Sequence, residues 1–169
     1  GNSSEIFEIN QQTGKIKNVF KTDLINKDWE AITSDSINLY IGDFGNNVSV
    51  RKDLVIYRIP FDSTLMAPNI NTITSIPFYY PEQKDFIPKN LNNDFDAEAM
   101  IFLNGKIHLF TKEWASKSTT HYTIDTNLVD NQAAQKIETR YTDYVVTDAA
   151  YFKQKLYLVG YTKKAEVFL

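Results

Sequence analysis

Short stretches in which hydrophobic and polar residues alternate recur along the chain, and Asn, Asp, Gly and Pro separate them. A period of two is typical of β-strands, because successive side chains of a strand point to opposite faces. The turn at residues 11–14 and the pair Asn104 and Gly105 indicate hairpins. The pattern predicts strands at residues 5–10, 15–20, 29–33, 38–43, 54–59, 75–80, 97–102, 106–112, 120–124, 136–141, 146–152, 156–161 and 166–169.

Three segments repeat one local pattern, in which an acidic residue, two small or apolar residues and a turn precede an alternating apolar strand. The acids are Glu30, Glu98 and Asp148, and the strands that follow them begin at Leu39, Ile107 and Leu156. The acid precedes its strand by the same distance in the first two copies and by one residue less in the third. Internal repetition of this kind predicts one supersecondary unit that is used several times.

The repeated unit predicts an all-β fold of the β-propeller type. Two further strands follow each of the first two acid-bearing hairpins, and a meander of four strands is the topology of a propeller blade. We place the units at residues 1–22, 23–80, 94–143 and 144–169, with a loop rich in Pro and Asn at residues 81–93. At roughly 40 to 50 residues per blade, the chain supplies about three to four four-stranded blades, as a single propeller domain or a fragment of one.

Packing of one blade on the next predicts which side chains form the core, since apolar positions of stacked sheets face another sheet. The side chains expected to be buried between blades are Trp29, Ile32, Ile41, Met100, Leu109 and Leu158. An open stack leaves sheet faces and edges exposed. We therefore expect pairing with a second copy of the chain, in a homodimer that completes a ring, or with a missing segment.

Composition narrows the classes of partner. The chain has 169 residues and a net charge of −3, and its Lys and Arg residues are scattered, so nucleic acid is not expected as a partner. It contains no cysteine, which excludes disulfides, zinc fingers and iron–sulfur clusters. No apolar run approaches the roughly 20 residues of a membrane span.

Acidic residues gather where the first strand of each unit is predicted to begin. The candidate metal ligands are Asp28, Glu30, Asp43, Asp96, Glu98 and Asp148. If the first strands are the innermost ones, Glu30, Glu98 and Asp148 point toward one end of a central channel, where oxygens can converge on Ca²⁺. The favoured interpretation is simpler, namely that these acids cap backbone amides and pair with Lys or Arg.

The loop at residues 42–47 places side-chain oxygens, including that of Asp43, around Gly42 and Gly45. Glycine permits a positive φ, so the loop can bind a cation or ligand. Its spacing does not match an EF-hand, and Gly with Asn is ordinary turn chemistry, so a turn is the favoured interpretation.

A basic and aromatic rim is a second candidate site. Lys112, Glu113 and Trp114 follow an apolar strand, and with Arg51 and Arg58 they can form a rim for an anionic ligand or a sugar. Pairing of Lys112 with a neighbouring acid is the favoured alternative. The two histidines, His108 and His121, lie within alternating strands without a metal-binding or catalytic motif, and we interpret them as packing or surface residues.

The motifs DWEAI (28–32), YIGDFGNN (40–47), DFDAEA (94–99) and FTKEW (110–114) resemble uncharacterised secreted or lipid-anchored β-propeller proteins of Bacteroidetes. The resemblance covers about residues 28–161. It implies a six-bladed ring and an extracytoplasmic location, in the periplasm, on the cell surface or secreted. More distantly, the repeat resembles six-bladed propellers such as the esterase-like phytases, from which we carry over no catalytic residues.

Two functions follow from these observations. The first is a non-enzymatic extracytoplasmic propeller that acts as a binding or scaffold module, since propellers host many functions and no complete catalytic site is visible. The alternative is a Ca²⁺-dependent hydrolase of phosphoesters or lactones, with acidic residues at the channel mouth. The sequence contains no serine-hydrolase elbow, phosphate-binding loop or dinucleotide fingerprint.

Overall fold

The protein, seen in a computed structural model that describes residues 3–62 and 66–169, consists of strands and turns, with no helix in those ranges. Residues 1–2 of the first predicted unit and 63–65 of the second lie outside the described residues. The all-β prediction is confirmed, and no described helix is long and apolar enough to cross a membrane. The strands are β1 (Glu5–Ile9), β2 (Ile16–Lys21), β3 (Trp29–Ser34), β4 (Asn38–Asp43), β5 (Leu54–Asp62), β6 (Ala67–Pro68), β7 (Thr74–Tyr79), β8 (Ala97–Leu103), β9 (Lys106–Thr111), β10 (Ser118–Asp125), β11 (Gln132–Ala133), β12 (Gln135–Tyr141), β13 (Val145–Phe152), β14 (Lys155–Tyr161) and β15 (Val167–Phe168).

The strands form four sheets in chain order. A ribbon of β1 and β2 comes first, and a second sheet has the order β11-β7-β5-β4-β3, with β6 paired to β5. The third sheet has the order β12-β10-β9-β8 and the fourth β13-β14-β15. Pairing is antiparallel except for the short β11, which follows the third sheet's β10 in the chain yet runs parallel to β7 of the second sheet. Strands β6 and β11 were not predicted, because two residues are too few to show alternation.

The first strands of the second, third and fourth sheets are edge strands, and they lie next to one another. β8 contacts β3 on one side and β13 on the other. The starts of these three strands lie near one another, since Glu30 of β3 interacts with Glu98 of β8 and Val146 of β13 packs with Ala99 of β8. We call this region the strand-start end.

Each of these first strands contains a β-bulge close to its start. The residue without an opposite partner is Glu30 in β3, Glu98 in β8 and Thr147 in β13. A bulge inserts one extra residue into the alternation of the strand. Two residues on either side of the bulge therefore point to the same face of the sheet when they are three positions apart in sequence. Ala97 and Met100 accordingly both join the core between the second and third sheets.

Two apolar cores separate the sheets. The larger one lies between the second and third sheets, and the rings of Phe78, Tyr80 and Tyr122 pack edge to face or tilted within it. The smaller one lies on the other face of β8, where Ala99 and Phe110 pack with Val146 of β13. Burial of both faces explains why β8 is almost continuously apolar.

The predicted core is correct in part. Ile41, Met100 and Leu109 are buried, and Trp29 and Leu158 are half-buried. The prediction for Ile32 is wrong, because 57% of this residue is exposed. It faces the two-stranded β1–β2 ribbon, and a cavity of about 610 Å³ remains between the ribbon and the second sheet. Two strands are too few to cover the face on which Ile32 lies.

Candidate functional site

Four carboxyl groups collect at the strand-start end, on the neighbouring strands β3 and β8 and the residues just before them. We call Asp28, Glu30, Asp96 and Glu98 the acidic cluster. The bulges place Glu30 and Glu98 at equivalent positions of their strands, as the repeat predicts. Neighbouring carboxylates disfavour each other's ionised form, and this effect raises the pKa values of Glu30 and Asp96.

Asp96 is the most buried member of the cluster. The residue is 0% exposed, and its Oδ1 accepts a hydrogen bond of 2.6 Å from the backbone N–H of Asn46. Its Oδ2 is buried and has no hydrogen-bond partner among the described residues. Burial raises the pKa of Asp96 to about 6, although the Asn46 bond and Lys112 oppose the shift.

Glu30 is more strongly perturbed than Asp96 although it is only half-buried. Burial, followed by the charges of Glu98, Asp28 and Asp96, raises the pKa of Glu30 to about 8, and a hydrogen bond with Asp28 acts in the same direction. The carboxyl groups of Asp28 and Glu30 lie directly against Gly45, where a Cβ atom would stand 2.3 Å from Asp28 Oδ2 and 2.5 Å from Glu30 Oε1. Gly45 therefore supplies the room that the carboxyl pair needs.

One lysine partly balances this negative charge. The ammonium group of Lys112 forms an ion pair with Glu98, and both side chains are largely shielded from solvent. Burial alone would lower the pKa of Lys112, but the hydrogen bond and charge of Glu98, together with Asp96, raise it above its ordinary value. The favoured sequence interpretation of Lys112 as the partner of a neighbouring acid is confirmed.

Asp43 does not join the acidic cluster but holds a turn together. Its Oδ1 accepts hydrogen bonds from Arg51 (2.9 Å) and from the N–H of Asp28 (3.1 Å), and its Oδ2 accepts one from the N–H of Lys27 (3.2 Å). The residue is completely buried. The carboxylate oxygens of Asp43, predicted as possible metal ligands, therefore already accept hydrogen bonds from Arg51 and from two backbone amides.

Asp148 does not occupy the position predicted for it. Thr147 is the bulged residue of β13, while Asp148 is paired in the ladder opposite Val159. The side chain of Asp148 is exposed and accepts a hydrogen bond from the next amide, that of Ala149. Thr147 precedes Leu156 by the same distance that separates Glu30 and Glu98 from the strands that follow them. The spacing of Asp148, which is one residue shorter, was therefore the signal that could have corrected the alignment of the third copy.

Two of the candidate calcium ligands are already engaged by basic side chains. Among residues 3–62 and 66–169, no group of three or more His, Cys, Asp or Glu side chains has the geometry to hold a metal ion. Calcium takes six to eight oxygens, whereas Asp43 is bound to Arg51 and Glu98 to Lys112.

The loop at residues 42–47 links the second sheet to the third. Asn46 donates its backbone N–H to Asp96 and its side-chain amide to the carbonyl of Phe95 (3.1 Å). Neither Gly42 nor Gly45 has a positive φ, so the prediction that these glycines are needed for a positive φ is wrong. They are needed for close approach instead, because a Cβ on Gly42 would stand 1.9 Å from the ring of Phe44.

The predicted basic and aromatic rim forms only around Trp114. Arg51 lies against Asp43, and Arg58 donates to the carbonyl of Thr126, away from Trp114. Glu113 is buried and accepts hydrogen bonds from Thr111 and Ser116. The ammonium groups near Trp114 belong to Lys112 and Lys117, which are close to it in sequence, and to Lys163, which is distant. No local motif marked the last two.

The two histidines form a pair across β9 and β10. Nδ1 of His108 lies 2.8 Å from Nε2 of His121, and the rings stack with centroids 5.0 Å apart. Burial lowers the pKa of both, and for His121 the neighbouring His108 acts in the same direction. They are packing residues, as the sequence indicates, but they are also a charge-sensitive pair.

The chain matches no protein-family model and none of the curated proteins with which it was compared. Function therefore has to be inferred from the chemistry of the acidic cluster and its surroundings.

Proposed function

We propose that this chain is a binding module of the β-propeller type, located outside the cytoplasm, and that its acidic cluster receives a positively charged group of the ligand. The observation that carries the proposal is Oδ2 of Asp96, a buried carboxylate oxygen without a partner among the described residues. Buried polar atoms are normally hydrogen-bonded, so an exception within a group of like charges indicates a missing donor.

The propeller part of the proposal is supported by how the sheets repeat. The first strands of three sheets lie side by side, each with a bulge at the same position, and the second and third sheets follow chain order through four main strands. Such a meander, with its first strands adjacent, is what radial packing of blades around an axis requires. The extracytoplasmic location rests on the family resemblance and is tested by cell fractionation.

An ammonium group suits the cluster better than a metal ion does. The carboxyls lie near one another without converging on one point, and an ammonium offers three separate N–H donors. Lys112 already shows the pairing, since its ammonium binds Glu98. One lysine against four carboxyl groups leaves the cluster with excess negative charge, which is greatest when Glu30 is ionised.

Binding of a cation at this cluster is coupled to a proton. With a pKa of about 8, Glu30 is mostly protonated at neutral pH. A positive ligand favours the ionised carboxylate, so binding releases a proton and tightens as pH rises toward about 8.

Isothermal titration with Nα-acetyl-L-lysine amide, which has no free α-amino group, in buffers of different ionisation enthalpy between about pH 6 and 8, measures both affinity and proton release. Glu30→Gln should abolish the release and flatten the pH dependence. Asp96→Asn should weaken binding at least about tenfold, since a charge-assisted hydrogen bond is lost. Glu138→Gln is the control, because Glu138 is an exposed acid paired with Arg140 on β12. Equal effects of all three variants, or no binding, would contradict the proposal.

Calcium-dependent hydrolysis of phosphoesters or lactones is the competing interpretation, and the same preparations test it. Melting temperatures are compared in CaCl₂ and in EDTA, and turnover of both substrate classes is measured. We expect no calcium-specific stabilisation and no turnover. Calcium-dependent turnover that Glu30→Gln removes would replace the binding module with an enzyme.

A further inference from the structure

A pocket of about 260 Å³ opens at the strand-start end between the third and fourth sheets, apart from the carboxyl groups of the acidic cluster. Its lining includes Trp114, Lys117, Tyr144, Tyr161, Lys163 and Lys164. We propose that this pocket binds an oxyanion, a carboxylate, phosphate or sulfate, carried on a ligand with a single sugar-sized ring.

Several ammonium groups approach the ring of Trp114. Nζ of Lys117 lies 4.7 Å from the ring centroid, that of Lys163 5.8 Å and that of Lys112 5.6 Å. The negative face of an aromatic ring attracts cations, so Trp114 holds these groups together although they repel one another. The positive charges are thereby in place before a ligand arrives, which lowers the entropic cost of binding.

The lysines that line the pocket outnumber the acids that line it, since Lys117, Lys163 and Lys164 stand against Asp143 and Glu166. Among the described residues, Lys117, Lys163 and Lys164 form no ion pair with a carboxylate. Asp143 and Glu166 also line the pocket, but they accept hydrogen bonds from the hydroxyls of Tyr141 (3.0 Å) and Thr162 (3.1 Å). Burial and the charge of Lys163 lower the pKa of Lys117, and they outweigh the charges of Asp143 and Asp94, which act in the opposite direction.

The backbone at Lys117 is held in a conformation that lysine rarely adopts. Its φ is +58°, in the left-handed region that favours glycine or asparagine. Its carbonyl accepts hydrogen bonds from the N–H groups of Thr142 (3.0 Å) and Asp143 (3.1 Å) and from the hydroxyl of Thr142 (3.2 Å). These bonds fix the residue at the pocket wall.

The shape of the pocket sets the size of the ligand. Its volume lies below that of pockets for drug-sized molecules, which begin at about 300 Å³, so one ring and its anionic substituent suffice to fill it. Tyr144, Val145 and Tyr161 supply apolar surface on which such a ring can pack.

Titration calorimetry with D-glucuronate, inorganic phosphate and D-glucose tests the proposal. We expect binding of glucuronate and no binding of glucose. Phosphate binding alone shows whether the oxyanion suffices, and tighter binding of glucuronate shows that the ring contributes. Binding of glucose as tight as that of glucuronate, or no binding of either anion at about 10 mM, overturns the proposal.

Variants separate the pocket from general charge effects. Lys117→Asn keeps a residue that tolerates the left-handed backbone and should weaken glucuronate binding at least about tenfold without lowering the melting temperature. Lys153→Asn is a matched control, since Lys153 also has a positive φ, of 48°, and its Nζ lies 5.2 Å from the ring centroid of Phe152, outside the pocket. Equal losses in both variants refute the assignment. Glu30→Gln should leave glucuronate binding intact, so this result and that for the acidic cluster are independent.

Discussion

Single side chains make opposite contributions to the pH dependence of stability. Glu30 and Asp96 have raised pKa values, of about 8 and about 6, because folding buries them beside other acids. His108 and His121 have lowered pKa values because folding buries them, and the neighbouring His108 lowers that of His121 further. Groups of both kinds resist charging in the folded state, but the acids charge as pH rises and the histidines as it falls.

Replacement of Glu30 by Gln should flatten the loss of stability at alkaline pH. The pKa of Glu30 rises from 4.5 to about 8 on folding, so its contribution is fully present below the lower value and is lost as pH rises through the upper one. The variant should gain stability relative to the original chain as pH rises from about 4.5 to about 8. Urea denaturation at several pH values measures this, and parallel curves for the two proteins would show that Glu30 is not perturbed.

Replacement of His121 by Gln should protect the chain at mildly acidic pH. The folded pKa lies below the ordinary value of 6.5, so the contribution of His121 is present above that value and is lost as pH falls through the folded pKa. The comparison is made in the Glu30→Gln background, because Glu30 makes stability change with pH in the opposite direction. In that background, the His121→Gln variant should lose less free energy of unfolding than its parent as pH falls from about 7.5 to 5.5. An unchanged acid sensitivity would mean that the pair does not resist protonation.

At the scale of elements, the sequence predicts the main strands and hairpins because each is encoded locally by alternation and turn residues. The bulges are not visible in that pattern, since one extra residue breaks the alternation without any marker of its own. The misplacement of Asp148 against Thr147 follows directly. β11 was missed for another reason, because two residues are too few to show alternation.

Truncation of Leu109 on β9 tests the register of the third sheet. The residue is 0% exposed and lies in the larger core, so Leu109→Ala should cost about 2 to 5 kcal/mol of unfolding free energy. Leu156→Ala on β14 is the control, because 43% of that leucine is exposed, and it should cost about 1 kcal/mol or less. Chemical denaturation of both variants gives the comparison, and a small loss for Leu109→Ala would mean that the strand faces solvent.

At the scale of the whole molecule, the candidate sites depend on contacts that the sequence does not reveal. The acids of the cluster were recognised from the repeat. The sequence does not show, however, that the backbone N–H of Asn46, in a loop of the second sheet, binds Oδ1 of Asp96 and leaves Oδ2 unpaired. Lys117 and Lys163 meet at Trp114 from distant parts of the chain. Composition and spacing therefore identify charged candidates, whereas their surroundings decide which of them remain unpaired.

Exposed apolar side chains on the outer sheets predict self-association. Phe152 and Val167 of the fourth sheet are 62% and 75% exposed, and Ile9 and Ile16 of the β1–β2 ribbon are similarly open. Apolar groups grouped on a sheet face favour pairing with another copy. Light scattering over a range of concentrations should detect a dimer, and Phe152→Ser should shift the equilibrium toward the monomer. A monomer at every concentration in both proteins would contradict this expectation.

The bulges at the starts of β3, β8 and β13 make one position of each sheet exchangeable. The bulged residue has no partner across the ladder, so its side chain can change identity while the neighbouring pairs keep their register. Glutamate occupies this position twice and Thr147 once. Point substitutions at these three positions can therefore change the binding chemistry of one sheet at a time, while the pairing of the strands stays the same.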